Sequence, residues 1–486
     1  MSINRPISAD TGVAASDKLV EFVEKMRAAG QPDLVIKHFA HQYERLLAGA
    51  TGYIDRHEAL PVESLQSSTT LSERYVSAGA AALSRTAVAK LNGGLGTSMG
   101  MAGPKSLLPV KGDLTFLDVI LRQVMYAREH CGCRIPLLLM DSFNTFEDTR
   151  VALGHYHEFS QDIPVSFMQH RKPKISRDSL EAAEWPADPD KEWCPPGHGD
   201  IYVSLVTSGT LDALLDAGYE YLFVSNSDNL GAVLDLQILG YLSEEKIPFL
   251  MEVADRTESD NKGGHLAMRP DGQLILRELS QCPPDEVEEF QDINRFKFFN
   301  TNNLWLHLPT LQRIMTEHDE ILELPLIRNE KPIDPTDPSS PKVYQLETAM
   351  GSAIALFPGA HAIRVPRSRF APVKHTSDLL IMWSDAYELA DNYQMVLSPR
   401  REVAPSDWPP VVRLDPQYYQ MVDDMRSRFP HGAPSLLNCR HFTVAGDVIF
   451  GSDIVILGDV TIANKTTERL AIADSAQLEN LRLGAT

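Results

Sequence analysis

The sequence predicts an α/β protein with a mixed, mainly parallel sheet, followed by a C-terminal parallel β-helix. Three observations predict it. Short apolar runs alternate with amphipathic helices from residue 86 to 385, a glycine-rich loop directly follows the first run, and apolar residues recur every six positions near the C-terminus. Strand, loop, helix, strand is a βαβ unit, which buries a parallel sheet beneath helices.

The opening residues MSINRPISADTG lack the apolar centre of a signal peptide, and no apolar run reaches the length of a membrane span. In DKLVEFVEKMRAAG, Leu19, Val20, Phe22, Val23 and Met26 share one side of a helix, which Gly30 caps and Pro32 follows. A second helix carries Leu34, Phe39, Tyr43, Leu46 and Leu47. Residues 1–85 are thus expected to form an N-terminal helical segment packed on a catalytic domain over 86–385.

That domain opens with the strand AVAKL (87–91). The helix TFLDVILRQVMYAREH and the buried-type strand IPLLLM (135–140) follow. Further strands are predicted at PVSFM (164–168), EYLFVSN (220–226), PFLMEV (248–253) and HAIRV (361–365). EWPADPDKEWCPP and EKPIDPTDPSSP are irregular connections. Within a third region, 386–486, Phe442, Val448, Ile454 and Val460 keep a six-residue step. Val444, Phe450, Ile456 and Ile462 keep it too, with Gly446, Ser452 and Gly458 at corners. Two inward apolar positions and one small corner per six residues are the mark of a parallel β-helix. Its open ends and ladder edges must be capped or paired, so self-association through this region is expected.

The 486 residues carry 45 basic and 66 acidic side chains, a net charge of −21. Nonspecific nucleic-acid binders and anionic-membrane binders need basic surface, so both classes are excluded as expectations. Phosphorylated small molecules are not, provided a few cations converge. The five cysteines are odd in number and scattered, which favours a reduced, cytoplasmic compartment.

The sharpest local feature is LNGGLGTSMGMAGPKS (91–106). Glycines 93, 94, 96 and 100 let backbone N–H groups form an anion nest, and Lys105 adds a charge. Pro104 before Lys105 breaks the P-loop pattern, and Met99 stands where a dinucleotide fingerprint needs glycine. A nucleotide-phosphate loop remains. EYLFVSNSDNLG places Asn226, Asp228 and Asn229 at the carboxyl end of a strand, where parallel sheets open their ligand crevice. One carboxylate there suits Mg²⁺, which takes most of its ligands from water and substrate phosphates. His198 sits between two glycines in PPGHGDIYVSL; a lone histidine is more often a structural hydrogen-bonder than a catalyst, and it is not read as a general base. The His155–His157 pair is expected at the surface, and Cys131-Gly-Cys133 lacks a second ligand pair for zinc. Asn300, Asn302 and Asn303 in FFNTNNLW suit sugar hydroxyls. Arg364, Arg367, Arg369 and Lys374 cluster in RVPRSRFAPVKHTSD, and phosphate is the expected reason for that local charge.

Taken together these motifs resemble the eukaryotic-type UTP–glucose-1-phosphate uridylyltransferases. The resemblance runs from Lys90 to the C-terminus through LNGGLGTSMG, GPKS, PPGHGDIY, SLVTSGTLD, FVSNSDNLGA, MEVADRT, KGG, FNTNNLW, QLETAMGSAI, VPRSRFAPVK and SDLL. It implies a GT-A-like nucleotidyltransferase core, a left-handed β-helix and Mg²⁺ as cofactor. It further implies that Leu91, Asn92, Gly93 and Gly94 hold uridine, Gln169 reads the uracil edge, and Gly197 touches the nucleotide. Lys105 would meet the UTP phosphates and Lys374 would be the catalytic cation; Asp228 would hold Mg²⁺ beside both substrates. His198, Asn226, Ser227, Gly264 and Asn302 would form the sugar-phosphate side. This chain departs from the family pattern at Ser227, around Gln169 (SFMQHRKPKI) and at Met101-Ala102.

The implied reaction joins UTP and glucose 1-phosphate into UDP-glucose, releasing pyrophosphate. Its nucleophile is an oxygen already ionised at neutral pH, so no general base is needed. Another sugar 1-phosphate as acceptor, or a non-catalytic scaffold retaining the fold, are the alternatives at this stage.

Overall fold

A computed structural model describes residues 17–257, 260–404 and 408–484. The residues on which the absence of a signal peptide was read lie outside that set.

The strands Thr86–Leu91, Leu137–Asp141 and Tyr221–Asn226 form the centre of a ten-stranded sheet. All three run parallel, with Asn226 beside Leu91 and Leu91 beside Met140. Their side chains alternate between two cores. Val88, Leu137, Leu139 and Phe223 face one, while Ala89, Leu138, Met140 and Val224 face the other. Burial on both faces explains why these strands read as continuous apolar runs.

The sheet is more evenly mixed than the sequence predicts. Phe298–His307 runs antiparallel between Tyr221–Asn226 and Phe249–Asp255, and the latter pairs in parallel with His361–Arg364. Antiparallel partners are set by long-range contacts, and no local pattern in FFNTNNLW announces the reversal. That strand does perform one local act. Glu252 pairs with Asn303 but Val253 with Asn300, so Thr301 and Asn302 bulge out. Asn302 takes φ 60°, the left-handed region that asparagine tolerates better than most residues. A bulge re-aims a side chain, here toward the carboxyl edge of the central strands.

The N-terminal helices Asp17–Ala28 and Asp33–Leu47 form as expected. Gly30 has φ 70°, and its amide donates to Arg27 while that of Gln31 donates to Met26, closing the first helix. Phe22, Phe39 and Tyr43 pack with Ile175, Val203 and Leu346. The segment is not helical throughout: Leu60–Pro61 joins the main sheet, and the helix Arg74–Leu83 packs on Leu236–Glu244. There Gly79 and Gly240 are required, because a Cβ on either would lie 1.8 Å from a backbone oxygen of the opposing helix region.

At the C-terminus all eight six-step apolar residues from Phe442 to Ile462 are buried. Strand Cys439–Ala445 stacks in parallel on Val455–Ala463, setting Phe442 on Val460 and Val444 on Ile462. Val448–Phe450 stacks on Leu470–Ile472 in the same sense. Gly446 turns at φ 82°, and a Cβ there would lie 2.1 Å from the Asn464 carbonyl. The core of this region is continuous with that beneath the main sheet, through Leu379, Leu380, Tyr419 and Met425.

Candidate active site

The carboxyl edge of the central strands opens into a cleft of about 450 Å³. Gly197, His198, Asn226, Asp228, Lys262, Gly264, Asn302 and Lys374 all line it. The glycine-rich loop folds back on itself: Leu95 bridges Pro104, and the Lys105 amide donates to the Gly94 carbonyl at 3.1 Å. Lys105 thereby returns to the strand end. Its Nζ donates to Asp228 Oδ2 at 2.7 Å and to the Val373 carbonyl. Lys105, Asp228 and the segment leading to Lys374 are therefore in contact, although 268 residues separate the outermost of those partners.

Leu91, Asn92, Gly93, Gly94 and Gln169 lie beside the cleft rather than in its lining. A Cβ on Gly93 would stand 2.9 Å from Gln169 Oε1, and Gln169 Nε2 donates to the Gly197 carbonyl at 2.9 Å. The glycine loop, Gln169 and the PPGHGD turn thus meet at one place. Gln169 keeps its position because His170 is fixed to Asp200 through both its amide and Nδ1, at 2.8 and 2.9 Å. Asn92 turns its side chain inward, donating to Asp141 Oδ1 at 2.6 Å, so that side chain is not left for a ligand. Ser227 is buried, donates its amide to the Leu91 carbonyl, and does not line the cleft.

The expected arginine cluster is corrected by its partners. Arg364 pairs with Asp255, Arg367 with Asp260 and Arg369 with Glu252. Carboxylates that lie 107 to 117 residues away in sequence hold these guanidinium groups. Lys374 alone of the four lines the cleft and has no ion-pair partner among the described residues. Its backbone amide and that of His375 donate to Asp378 Oδ2, which fixes the residue at the start of helix Thr376–Trp383.

Met350 donates its amide to His198 Nδ1 at 2.9 Å, and burial pushes the imidazole down to about 4. The ring is neutral above that pH, with its proton on Nε2, a hydrogen-bond donor rather than a base. Replacing His198 with glutamine should therefore leave the shape of the kcat/KM profile between about pH 5.5 and 8 unchanged. An inflection lost in the variant would contradict this.

Asp141 sits behind the glycine loop, and burial raises it to about 6 against the hydrogen bonds from Asn92 and others. The folded chain thus holds a proton that the unfolded chain releases near pH 4. The resulting cost is absent below about pH 4, grows through the interval and is complete above about pH 6, where two units amount to about 3 kcal/mol. Asp141→Asn should raise Tm at pH 8 and give no gain at pH 4, as thermal melts at both pH values would reveal.

Sequence reasoning missed Glu278 and Glu347, which line the cleft. Burial raises both, with Lys374 opposing the shift at Glu278. No local signal in the sequence points to them: Glu278 reaches the cleft by packing against Gly264, where a Cβ would stand 2.5 Å from its carboxylate. His155 and His157 are exposed as expected, and all five cysteines are free thiols. No helix among the described residues is long and apolar enough to cross a membrane.

A glycine loop, Asp228 and two lysines gathered at the edge of a mixed α/β sheet suit the handling of a nucleotide and its phosphates, the chemistry of a nucleotidyltransferase. Comparison with known proteins sharpens the class. Residues 36–457 match the family described as UTP–glucose-1-phosphate uridylyltransferase, and the chain belongs to that family. The enzymes of that name from Hordeum vulgare and Saccharomyces cerevisiae are 44% and 43% identical; each alignment covers 82% of this chain, and 82% and 78% of theirs. A Leishmania major UDP-glucose pyrophosphorylase variant, solved in complex with UDP-glucose, superposes with a TM-score of 0.89 at 46% identity. The match covers 97% of this chain and all of that one.

Proposed function

We propose that this chain transfers a uridylyl group from UTP to glucose 1-phosphate, giving UDP-glucose and pyrophosphate. The observation that carries the proposal is the meeting of Lys105, Asp228 and the Lys374 segment at one cleft, in a member of this family. An oxygen of the sugar phosphate forms a bond to the α-phosphorus of UTP while the bond from that phosphorus to the β-bridging oxygen breaks. Pyrophosphate leaves with the electron pair, and no proton need move.

The obstacle is the approach of one anion to another, so fixed cations and in-line positioning supply the catalysis. Lys374 faces the α-phosphate and the attacking phosphate. Lys105 exchanges Asp228 for the UTP phosphates as the nucleotide enters. The Leu91–Gly94 backbone and Gln169 hold the nucleoside, and Gly197 closes over it. His198 donates through Nε2 to the sugar phosphate. Asn226, Asn302 and the backbone at Gly264 meet the sugar, with Glu278 and Glu347 as further hydroxyl partners.

Mg²⁺ fits this site. Asp228 Oδ1 is buried without a hydrogen-bond partner, while Oδ2 is held by Lys105. A single carboxylate suits an ion that draws its remaining ligands from phosphates and water. Bound there by Asp228, Mg²⁺ would neutralise charge on the phosphates.

The supporting features extend to architecture. A catalytic core of the GT-A kind is expected over 86–385, preceded by an N-terminal segment over 1–85 whose helices Asp17–Ala28 and Asp33–Leu47 pack on it. The stacked parallel strands within 386–486 speak for a parallel β-helix, which the family resemblance implies is left-handed. Self-association through its open end is expected, and a monomer mass by light scattering would contradict it. Free cysteines throughout favour the cytoplasm.

The test is an assay of purified protein with UTP, Mg²⁺ and a panel of sugar 1-phosphates. UDP-glucose and pyrophosphate should appear in equal amounts, with galactose and N-acetylglucosamine 1-phosphates slower. Uridine-nucleotide binding without product would overturn the proposal in favour of a scaffold.

A further inference from the structure

Two segments distant in sequence must keep a fixed separation for the cleft to work. One is the turn that carries Asp228, and the other is the stretch that ends in Lys374. Lys105 joins them at the cleft, donating to Asp228 and to the Val373 carbonyl, and beneath it one buried side chain joins them again. Asn229 Nδ2 donates to the Arg369 carbonyl at 3.1 Å, and the Ala371 amide donates to Asn229 Oδ1 at 2.9 Å. The side-chain amide thus pairs with that backbone as a neighbouring strand would. Backbone contacts run alongside: Asn229 bridges Pro372, and the Val373 amide approaches the Asp228 carbonyl at 3.4 Å.

Both segments are anchored below this clamp. Lys90 Nζ ties the two ends of the Asp228 turn, donating to Ser225 Oγ at 2.7 Å and the Ala232 carbonyl at 2.9 Å. On the other side, Arg369 Nε and Nη2 donate to the two oxygens of Glu252 at 2.8 and 2.6 Å. Trp305 Nε1 and Asn303 Nδ2 complete that carboxylate at 2.9 and 3.0 Å. Gly231 allows the close approach, since a Cβ there would lie 2.4 Å from the Ser368 carbonyl.

We propose that Asn229 is a positioning residue that acts through Lys374: its side chain sets where the Lys374 segment stands relative to Asp228. This rests on Lys374 being the catalytic cation. Asn229 does not line the cleft and need not touch substrate. A displacement of about 1 Å at a reacting centre can cost about 10² in rate. The frame beneath, built on Glu252 and Arg369, makes the segment rigid, while Asn229 sets its distance.

The test is a double-mutant cycle on the full chain, read in kcat, in UTP affinity and in Tm. Asn229→Ala should lower kcat about ten- to a hundredfold. UTP affinity should stay within about threefold, because the glycine loop and Gln169 are untouched. Added to Lys374→Ala, the same change should cost less than about threefold more, since the group it positions is gone. Should Asn229→Ala fail to fold, Asn229→Asp takes its place in the cycle; it keeps the acceptor for Ala371 and loses the bonds that Nδ2 donates to the Arg369 carbonyl and, at 3.2 Å, to Asn303 Oδ1. Equal losses in the two backgrounds would mean general damage and would overturn the inference. So would a single Asn229 variant that turns over within about threefold of the parent. Full turnover by Lys374→Ala would instead overturn the underlying assignment, and the inference with it.

Discussion

Lys374→Ala should lower kcat by about 10²–10³, the usual loss when one preorganised charge contact to a transition state is removed. Its fold should survive. Lys374 has no ion-pair partner among the described residues, so truncating it strands no buried carboxylate in a pair. Glu278, however, loses the charge that opposes its upward shift and should become harder to ionise. Circular dichroism and Tm close to the parent, with turnover lost, would separate a catalytic role from a structural one. Normal turnover would remove Lys374 from the mechanism.

Asp228→Asn should be the second large effect, also about 10² or more in kcat. The substitution keeps an oxygen that can accept from Lys105, but it removes the charge. The pair is mostly buried, its side chains 15% and 18% exposed, so Lys105 loses its counter-charge in a poorly solvated place. Two readouts should move together. Half-saturation for the divalent ion should rise, and Mn²⁺ binding in the presence of UTP, followed by electron paramagnetic resonance, should weaken. Unchanged Mn²⁺ binding would place the ion elsewhere and leave Asp228 only as the partner of Lys105.

Asp228 and Lys105 are legible in the sequence because each ends a local pattern. Asp228 follows an apolar strand and opens a polar turn, and Lys105 closes a glycine loop after Pro104. The six-residue step was legible for a similar reason: Phe442, Val448, Ile454 and Val460 declare their spacing without reference to the rest of the chain. What pairing decides over long distances was not legible. Arg364, Arg367 and Arg369 looked like phosphate ligands because charges are read locally, whereas Asp255, Asp260 and Glu252 reach them only in the folded chain. The antiparallel course of Phe298–His307 and the approach of Glu278 to Gly264 belong to the same category. Asn229 is the clearest instance. In sequence it is one polar residue in a turn; in the fold it joins the two walls of the cleft.

The stereochemical course at the α-phosphorus offers the most direct check. With a single diastereomer of UTP carrying sulfur on that phosphorus, one displacement by the sugar phosphate must invert its configuration. Inversion in the UDP-glucose analogue is the result expected of a protein that supplies cations and placement but no nucleophile. Retention would mean that the uridylyl group passes first to a side chain, and direct attack within this cleft would be wrong.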